Sequence, residues 1–278
     1  MAPLTRSPSS PIGVFDSGIG GLTVVREIAA RLPAEAIVYF GDTARVPYGP
    51  KSPETVRRYA REAAAFLLSR GVKAIVVACN TATAAAADDL AAELDVPVLG
   101  VIEPGARAAV AASRTGRIGV IGTVGTINSG AYDLAVRRLL PGARVYAQPC
   151  PLFVPLAEEG LLDGEATRLI AESYLAPLRA LDVDVLVLGC THYPLLRPLI
   201  AAIMGPAVTL VDSGAETAAE LQRVLDRRGL LRREATPPTH TFVASDAPLR
   251  FRDIASRFLG QVVADVERVD VEGFDRAA

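Results

Sequence analysis

A chain of 278 residues, half of it apolar, is long enough for two domains with sizeable cores, since single domains usually hold about 100 to 200 residues. The formal net charge is −2 and no block of like charge runs through the sequence, so neither nucleic acid nor an anionic membrane surface is an expected partner. Three cysteines are too sparse for a disulfide framework, and no uncharged run approaches the roughly 18 to 20 apolar residues of a membrane span.

The N-terminal stretch MAPLTRSPSSP is rich in Pro and Ser and has no apolar segment. It reads as a disordered tail over residues 1–10 rather than a signal peptide, which makes the cytoplasm the expected location. Strands are then expected, in chain order, at IGVF (12), AIVYF (36), AIVVA (74), VPVLGV (96), RIGVIG (117), VDVLVLG (183) and VTLVD (208). Between them, residues 21–32, 53–69, 81–94, 103–113, 126–140, 164–180 and 214–228 carry helical periodicity. Strands apolar on both faces alternating with helices indicate an α/β protein with mainly parallel sheets covered by helices.

The sequence also echoes itself. IGVFDSG at Ile12 returns as IGVIGTVG at Ile118, 106 positions later, and AIVVACNT at Ala74 returns as VLVLGCT at Val185, with the cysteines 111 positions apart. Two echoes in the same order predict two similar lobes in a pseudo-twofold relation, with the active site in the cleft between them. Residues 11–104 and 213–278 are expected to build the first lobe, with THTFVAS at 239 completing its sheet, and residues 105–212 the second.

In open α/β sheets, ligands bind beyond the carboxyl ends of the strands. Those ends hold Asp16 and Ser17, Asp42 and Thr43, Cys79 to Thr81, and Cys190 to His192. If the lobes face each other, Cys79 and Cys190 meet across the cleft, each ahead of a helix whose N-terminal N–H groups favour a thiolate. Two such thiols suit inversion of a stereocentre: one removes an α-proton as thiolate, and the other, as thiol, protonates the opposite face.

Other readings of these residues are blander. Cys150, between two prolines, and His240, in an apolar segment without a motif, read as structural. Asp16 has a second reading as a helix cap, and His192 as a helix-start residue before Pro194. The DSGIGG turn resembles a phosphate loop but lacks the GKS or GKT ending. A pyridoxal phosphate enzyme needs a well-placed lysine, and the two present, Lys51 in a Gly-Pro loop and Lys73 before a strand, are not well placed. Zinc and redox sites usually draw on C-x-x-C pairs, which are absent from the sequence. A non-catalytic binding protein would leave the two cysteines and their polar neighbours unexplained.

Five stretches, GVFDSGIGGLTV, YFGDTARVPYG, ACNTATA, PCPLFVPLAEEG and LGCTHYPLL, occur in that order between Pro11 and Ser213. Together they resemble the cofactor-independent aspartate/glutamate racemase family, and the His after Cys190-Thr191 favours its glutamate branch over the aspartate one. The resemblance implies that Cys79 takes the proton from D-glutamate and Cys190 from L-glutamate, without a cofactor. It also implies that Asp16, Ser17, Tyr48, Gly49, Asn80, Thr81, Thr191 and His192 line the substrate pocket, that His192 assists Cys190, and that Glu158 helps nearby. Relatives acting on aspartate, hydantoins or maleate share the thiol pair and remain alternatives. A role in supplying D-glutamate for peptidoglycan comes with the resemblance, and a homodimer is expected because many soluble enzymes pair with twofold symmetry. The last sixty-odd residues match the family poorly and carry no expected function.

Overall fold

A computed structural model of the chain describes residues 6–234, 238–271 and 274. Its first half follows the alternation read from the sequence: β1 (Ile12–Asp16), α1 (Leu22–Arg31), β2 (Ile37–Gly41), α2 (Pro53–Ser69), β3 (Ala74–Val77), α3 (Asn80–Glu93), β4 (Val98–Gly100) and α4 (Ile102–Ala112). The second begins with β5 (Arg117–Gly122), α5 (Val124–Asn128), α6 (Ala131–Leu139), β6 (Arg144–Pro149), α7 (Phe153–Glu159), α8 (Glu165–Ala180) and β7 (Val185–Gly189). A 3-10 turn (Tyr193–Leu196), α9 (Arg197–Met204), β8 (Thr209–Asp212), α10 (Gly214–Arg227), β9 (Thr241–Ala244), α11 (Pro248–Leu259) and β10 (Glu267–Arg268) complete the described chain.

The strands form two sheets, and every pairing is parallel. One has the order β10-β9-β2-β1-β3-β4 and the other β6-β5-β7-β8. The inner order is the same in both: the strand that opens each half lies centrally, and the strand leading to a cysteine lies beside it. This is the physical content of the echoed sequence, and it makes the molecule an α/β protein of two similar sheets covered by helices. Alternate side chains of each strand feed separate cores. In the first sheet Ile12, Val14, Tyr39 and Val76 pack on one face, while Phe15, Val38, Phe40 and Val77 pack on the other. Fully burying each aliphatic side chain of this kind contributes roughly 1.5–3 kcal/mol.

Local chemistry sets the boundaries. Ser52 caps α2 by accepting a hydrogen bond from the Thr55 N–H at 3.3 Å, with Pro53 at the first helical position. The helix expected over 126–140 is two helices, because Gly130 (φ 66°) adopts the left-handed conformation between α5 and α6. No element was expected at β6, which lies at a sheet edge, is half-exposed and carries the polar run RVYAQP, nor at α7, α11 or β10. Of the expected disordered tail, residues 1–5 lie outside the described residues. Residues 6–10 instead contain a turn, in which the Ser10 N–H donates to the Ser7 carbonyl at 3.0 Å. The fully buried Lys73 holds this segment through the Pro8 carbonyl (2.6 Å) and pairs with Glu35 at 2.5 Å. Among the described residues, no helix is long and apolar enough to cross a membrane.

Candidate active site

The carboxyl ends of β1 and β3 build one side of the site. Cys79 follows β3 and is itself the N-cap of α3, its sulfur accepting from the Ala82 N–H at 3.5 Å and donating to Ser17 Oγ at 3.7 Å. The sequence reading has this helix end favouring a thiolate, but the outcome is the reverse. Burial and the neighbouring Asp16 charge outweigh the Ala82 and Ser17 hydrogen bonds and push the Cys79 thiol up to about 12. Asp16 is fully buried and caps no helix; its carboxylate accepts from the Gly18 N–H at 3.0 Å and from Thr191 Oγ1 at 3.4 Å. Burial raises its pKa, opposed by the charge of His192 and by the Gly18 and Gly21 N–H groups.

The end of β7 builds the other side. Cys190 Sγ lies 3.8 Å from His192 Nδ1, and His192 Nε2 lies 3.0 Å from Glu158 Oε1 on α7, so sulfur, imidazole and carboxylate form a relay. Burial by itself would depress the His192 pKa, but its hydrogen bonds to Cys190 and Glu158, reinforced by the Cys190 and Asp16 charges, lift it to about 10. The Glu158 carboxyl is correspondingly low: burial works against its charge, and His192 more than offsets that. After Cys190 the chain enters a 3-10 turn rather than an α-helix, with His192 preceding it and no side-chain cap.

The two sides are tied directly. Thr23 Oγ1 donates to the Thr191 carbonyl (3.0 Å), Tyr132 Oη donates to Asn80 Oδ1 (2.8 Å), Thr81 Oγ1 meets Thr123 Oγ1 (2.8 Å), and the Gly125 N–H donates to the Gly49 carbonyl (2.9 Å). Gly20 makes this approach possible: a Cβ there would stand 2.3 Å from Thr191 Oγ1 and 2.4 Å from His192 Nδ1.

Between the sides lies a cavity of about 30 Å³. Ser17, Tyr48, Gly49, Cys79, Asn80, Thr81, Cys190, Thr191 and His192, all named from the sequence, line it. Asp16 and Glu158 stand one layer behind, touching Thr191 and His192 respectively. Asp42 is not on the wall; it accepts from Tyr48 Oη, from Arg45 Nε (2.7 Å) and from Ser245 Oγ (2.9 Å), and so holds the Tyr48 loop. Cys150 is fully buried, away from the cavity wall, in the core that backs β7. Lys73, engaged with Glu35, precedes the amino end of β3, opposite the end that leads to Cys79. Among the described residues, no cluster of three or more His, Cys, Asp or Glu is arranged to hold a metal ion.

Val46, Pro47, Thr123 and Val154 also line the cavity and are not among the residues expected from the sequence. Thr123 had a signal, because it occupies in the second echo the position of Ser17 in the first. One lining group is chemically conspicuous: Asn80 Nδ2 is buried without a hydrogen-bond partner, whereas its Oδ1 is satisfied by Tyr132. Such an orphan donor at a cavity wall is costly unless something with an acceptor oxygen fills the space.

The Asp/Glu/Hydantoin racemase family model matches residues 12–221, a span that contains both cysteine loops. The chain belongs to that family. It is an isomerase, an amino-acid racemase. The glutamate racemase of Geobacter metallireducens is 54% identical over 95% of this chain and 98% of its own length. The crystal structure of the Francisella tularensis glutamate racemase in complex with D-glutamate superposes with a TM-score of 0.89 at 39% identity, covering 95% of this chain and 99% of that one. The Escherichia coli glutamate racemase in complex with L-glutamate gives a TM-score of 0.76 at 27% identity, covering 94% of this chain and 98% of that one.

Proposed function

We propose that this protein interconverts L- and D-glutamate by cofactor-independent proton transfer between two thiols. The observation that carries the reading is that Cys79 and Cys190, at equivalent strand ends of the two sheets, line one cavity whose walls also include the hydroxyl side chains of Ser17, Thr81, Thr123 and Thr191 and an unsatisfied amide. Similar proteins have been captured with each enantiomer of glutamate.

The cavity has room for one or two waters and not for an amino acid, so the lobes, 11–104 with 213–278 against 105–212, part to admit the substrate and close upon it. Asn80 Nδ2 and the hydroxyls of Ser17, Thr81, Thr123 and Thr191 donate to its carboxylates. With L-glutamate bound, the Cys190 thiolate takes the α-proton, the C–H electron pair passes into the α-carboxylate as an enolate, and the Cys79 thiol delivers its proton to the opposite face. D-glutamate leaves, and Cys79, now the thiolate, is the base for the reverse turnover. His192, backed by Glu158, exchanges protons with Cys190, while Asp16 holds Thr191 and balances the imidazolium. The product would supply peptidoglycan synthesis in the cytoplasm, and a homodimer is the expected assembly.

Incubation with L-glutamate in deuterium oxide, without pyridoxal phosphate, tests this: D-glutamate carrying α-deuterium is the expected product by NMR and optical rotation. Absence of exchange with reduced thiols would remove glutamate as substrate, and aspartate and hydantoins would then be tried in the same assay.

A further inference from the structure

Helix α11 has no function in the mechanism above, yet it touches His192 and Glu158, two of the site residues that come from the second half of the chain. Its Arg257 Nη1 donates to the Glu158 carbonyl at 2.7 Å and reaches, at 3.5 Å, the Ala157 carbonyl that also accepts the Gly160 N–H, so the guanidinium sits on the carbonyl end of α7. The helix ends there at Gly160 in the left-handed conformation (φ 74°), and a Cβ at Gly160 would lie 2.9 Å from the Arg257 guanidinium carbon. Arg250, two turns earlier on α11, pairs with Glu159 at 3.3 Å. Phe258, fully buried, packs edge-on against the His192 ring, with centroids 5.3 Å apart and planes at 82°.

We propose that α11 is the positioning element of the His192–Glu158 pair: Arg257 holds the C-terminal end of α7, and with it Glu158, while Phe258 sets the plane of the imidazole. The assignment rests on the reading of His192 as the proton partner of Cys190. A cation on a helix C-terminus is favourable in itself, but here one helix contacts both residues of the relay, Arg257 at the Glu158 carbonyl and Phe258 at the His192 ring, while Arg250 holds the adjacent Glu159. An imidazole must face Cys190 with one nitrogen and Glu158 with the other, so its ring plane is decisive, and Phe258 lies against that ring. Neither Arg257 nor Phe258 lines the cavity, so both act through the relay and not on substrate.

The charged and titratable groups around His192 are Cys190 on its own loop, Asp16 after β1, Glu158 on α7, and Arg250 and Arg257 of α11 behind Glu158. Loosening Glu158 removes one of the interactions that raise the His192 pKa, so its titration midpoint should fall. The protein has only two histidines, which makes this directly readable by imidazole NMR, with His240 as the internal reference.

Arg257→Ala, at an exposed position, is expected to lower the His192 midpoint by about one pH unit, to leave His240 unchanged, and to slow racemisation about tenfold. Arg257→Lys should recover part of both effects, and Phe258→Leu should alter the His192 signal with Arg257 intact. Glu158→Gln is the control that removes the relay itself. If Glu158→Gln moves the His192 midpoint and Arg257→Ala does not, α11 has no positioning role. If Glu158→Gln leaves the midpoint in place, the relay and its positioning fall together. A midpoint that moves as expected in a protein that fails to racemise glutamate would uphold the positioning and refute the substrate assignment.

Discussion

The loops after β3 and β7 occupy equivalent positions in two sheets of the same inner strand order, and each presents a cysteine to one cavity, yet their surroundings differ. Cys79 caps a long helix and has a buried carboxylate, Asp16, beside it; the net effect is a thiol held protonated. Cys190 precedes a short 3-10 turn and has an imidazole beside it, itself tethered to a carboxylate on another helix. The strand-end geometry was kept in both halves, while the charges behind the sulfurs diverged. In the proposed mechanism the two thiols exchange the roles of acid and base with the direction of turnover, so the difference bears on how each sulfur gains or loses its proton rather than on a fixed division of labour.

The most severe way to break the comparison is to remove either sulfur. Cys79→Ser and Cys190→Ser should each lower racemisation by at least ~10²-fold, the contribution of a positioned acid or base. Near-normal turnover of either variant in both directions would end the two-thiol mechanism. Next in size is the contact that keeps the halves together. Gly20→Ala places a methyl group against Thr191 and His192, and the displacement should cost on the order of 10²-fold in kcat/KM; an unaffected rate would show that the halves need not approach this closely. Asn80→Ala removes the unsatisfied donor and should raise KM by about tenfold with a smaller change in kcat, as expected for one lost hydrogen bond to a charged group.

The electrostatic difference itself can be read without substrate. Since the Cys79 pKa lies at about 12, its alkylation by iodoacetamide, followed by peptide mass spectrometry, should accelerate about tenfold per pH unit across pH 8 to 11. A plateau near neutrality would contradict the buried-acid description of this side. The smallest effect belongs to Cys150, which is buried in the core that backs β7. Cys150→Ala should leave kcat and KM unchanged within twofold and cost about 1 kcal/mol in a denaturant titration.

Much of this was legible along the chain. Apolar strand runs, helical periodicity and two echoes determined the α/β class, the strands β1 to β5 and β7 to β9, and the placing of Cys79 and Cys190 at strand ends. Those signals are local, or recur at a fixed offset, and need no coordinates. Edge strand β6 escaped because a half-exposed strand has no continuous apolar run, and α11 lies beyond the five stretches from which the resemblance was read, although similar glutamate racemases align over 95% of the chain. Thr123 was visible in the echo, as the counterpart of Ser17, but only once the two halves were superposed.

What the sequence by itself determined is which reactive side chains exist and which strand end each occupies. Tertiary structure alone decided their proton states and their partners. The helix end at Cys79 favours a thiolate, and only the depth of burial and the carboxylate of Asp16, 63 positions away in sequence, reverse that preference. His192 is lifted by Glu158, from a different helix, against the effect of its own burial. Desolvation and through-space charge depend on distance and depth, and neither is a property of any window of sequence.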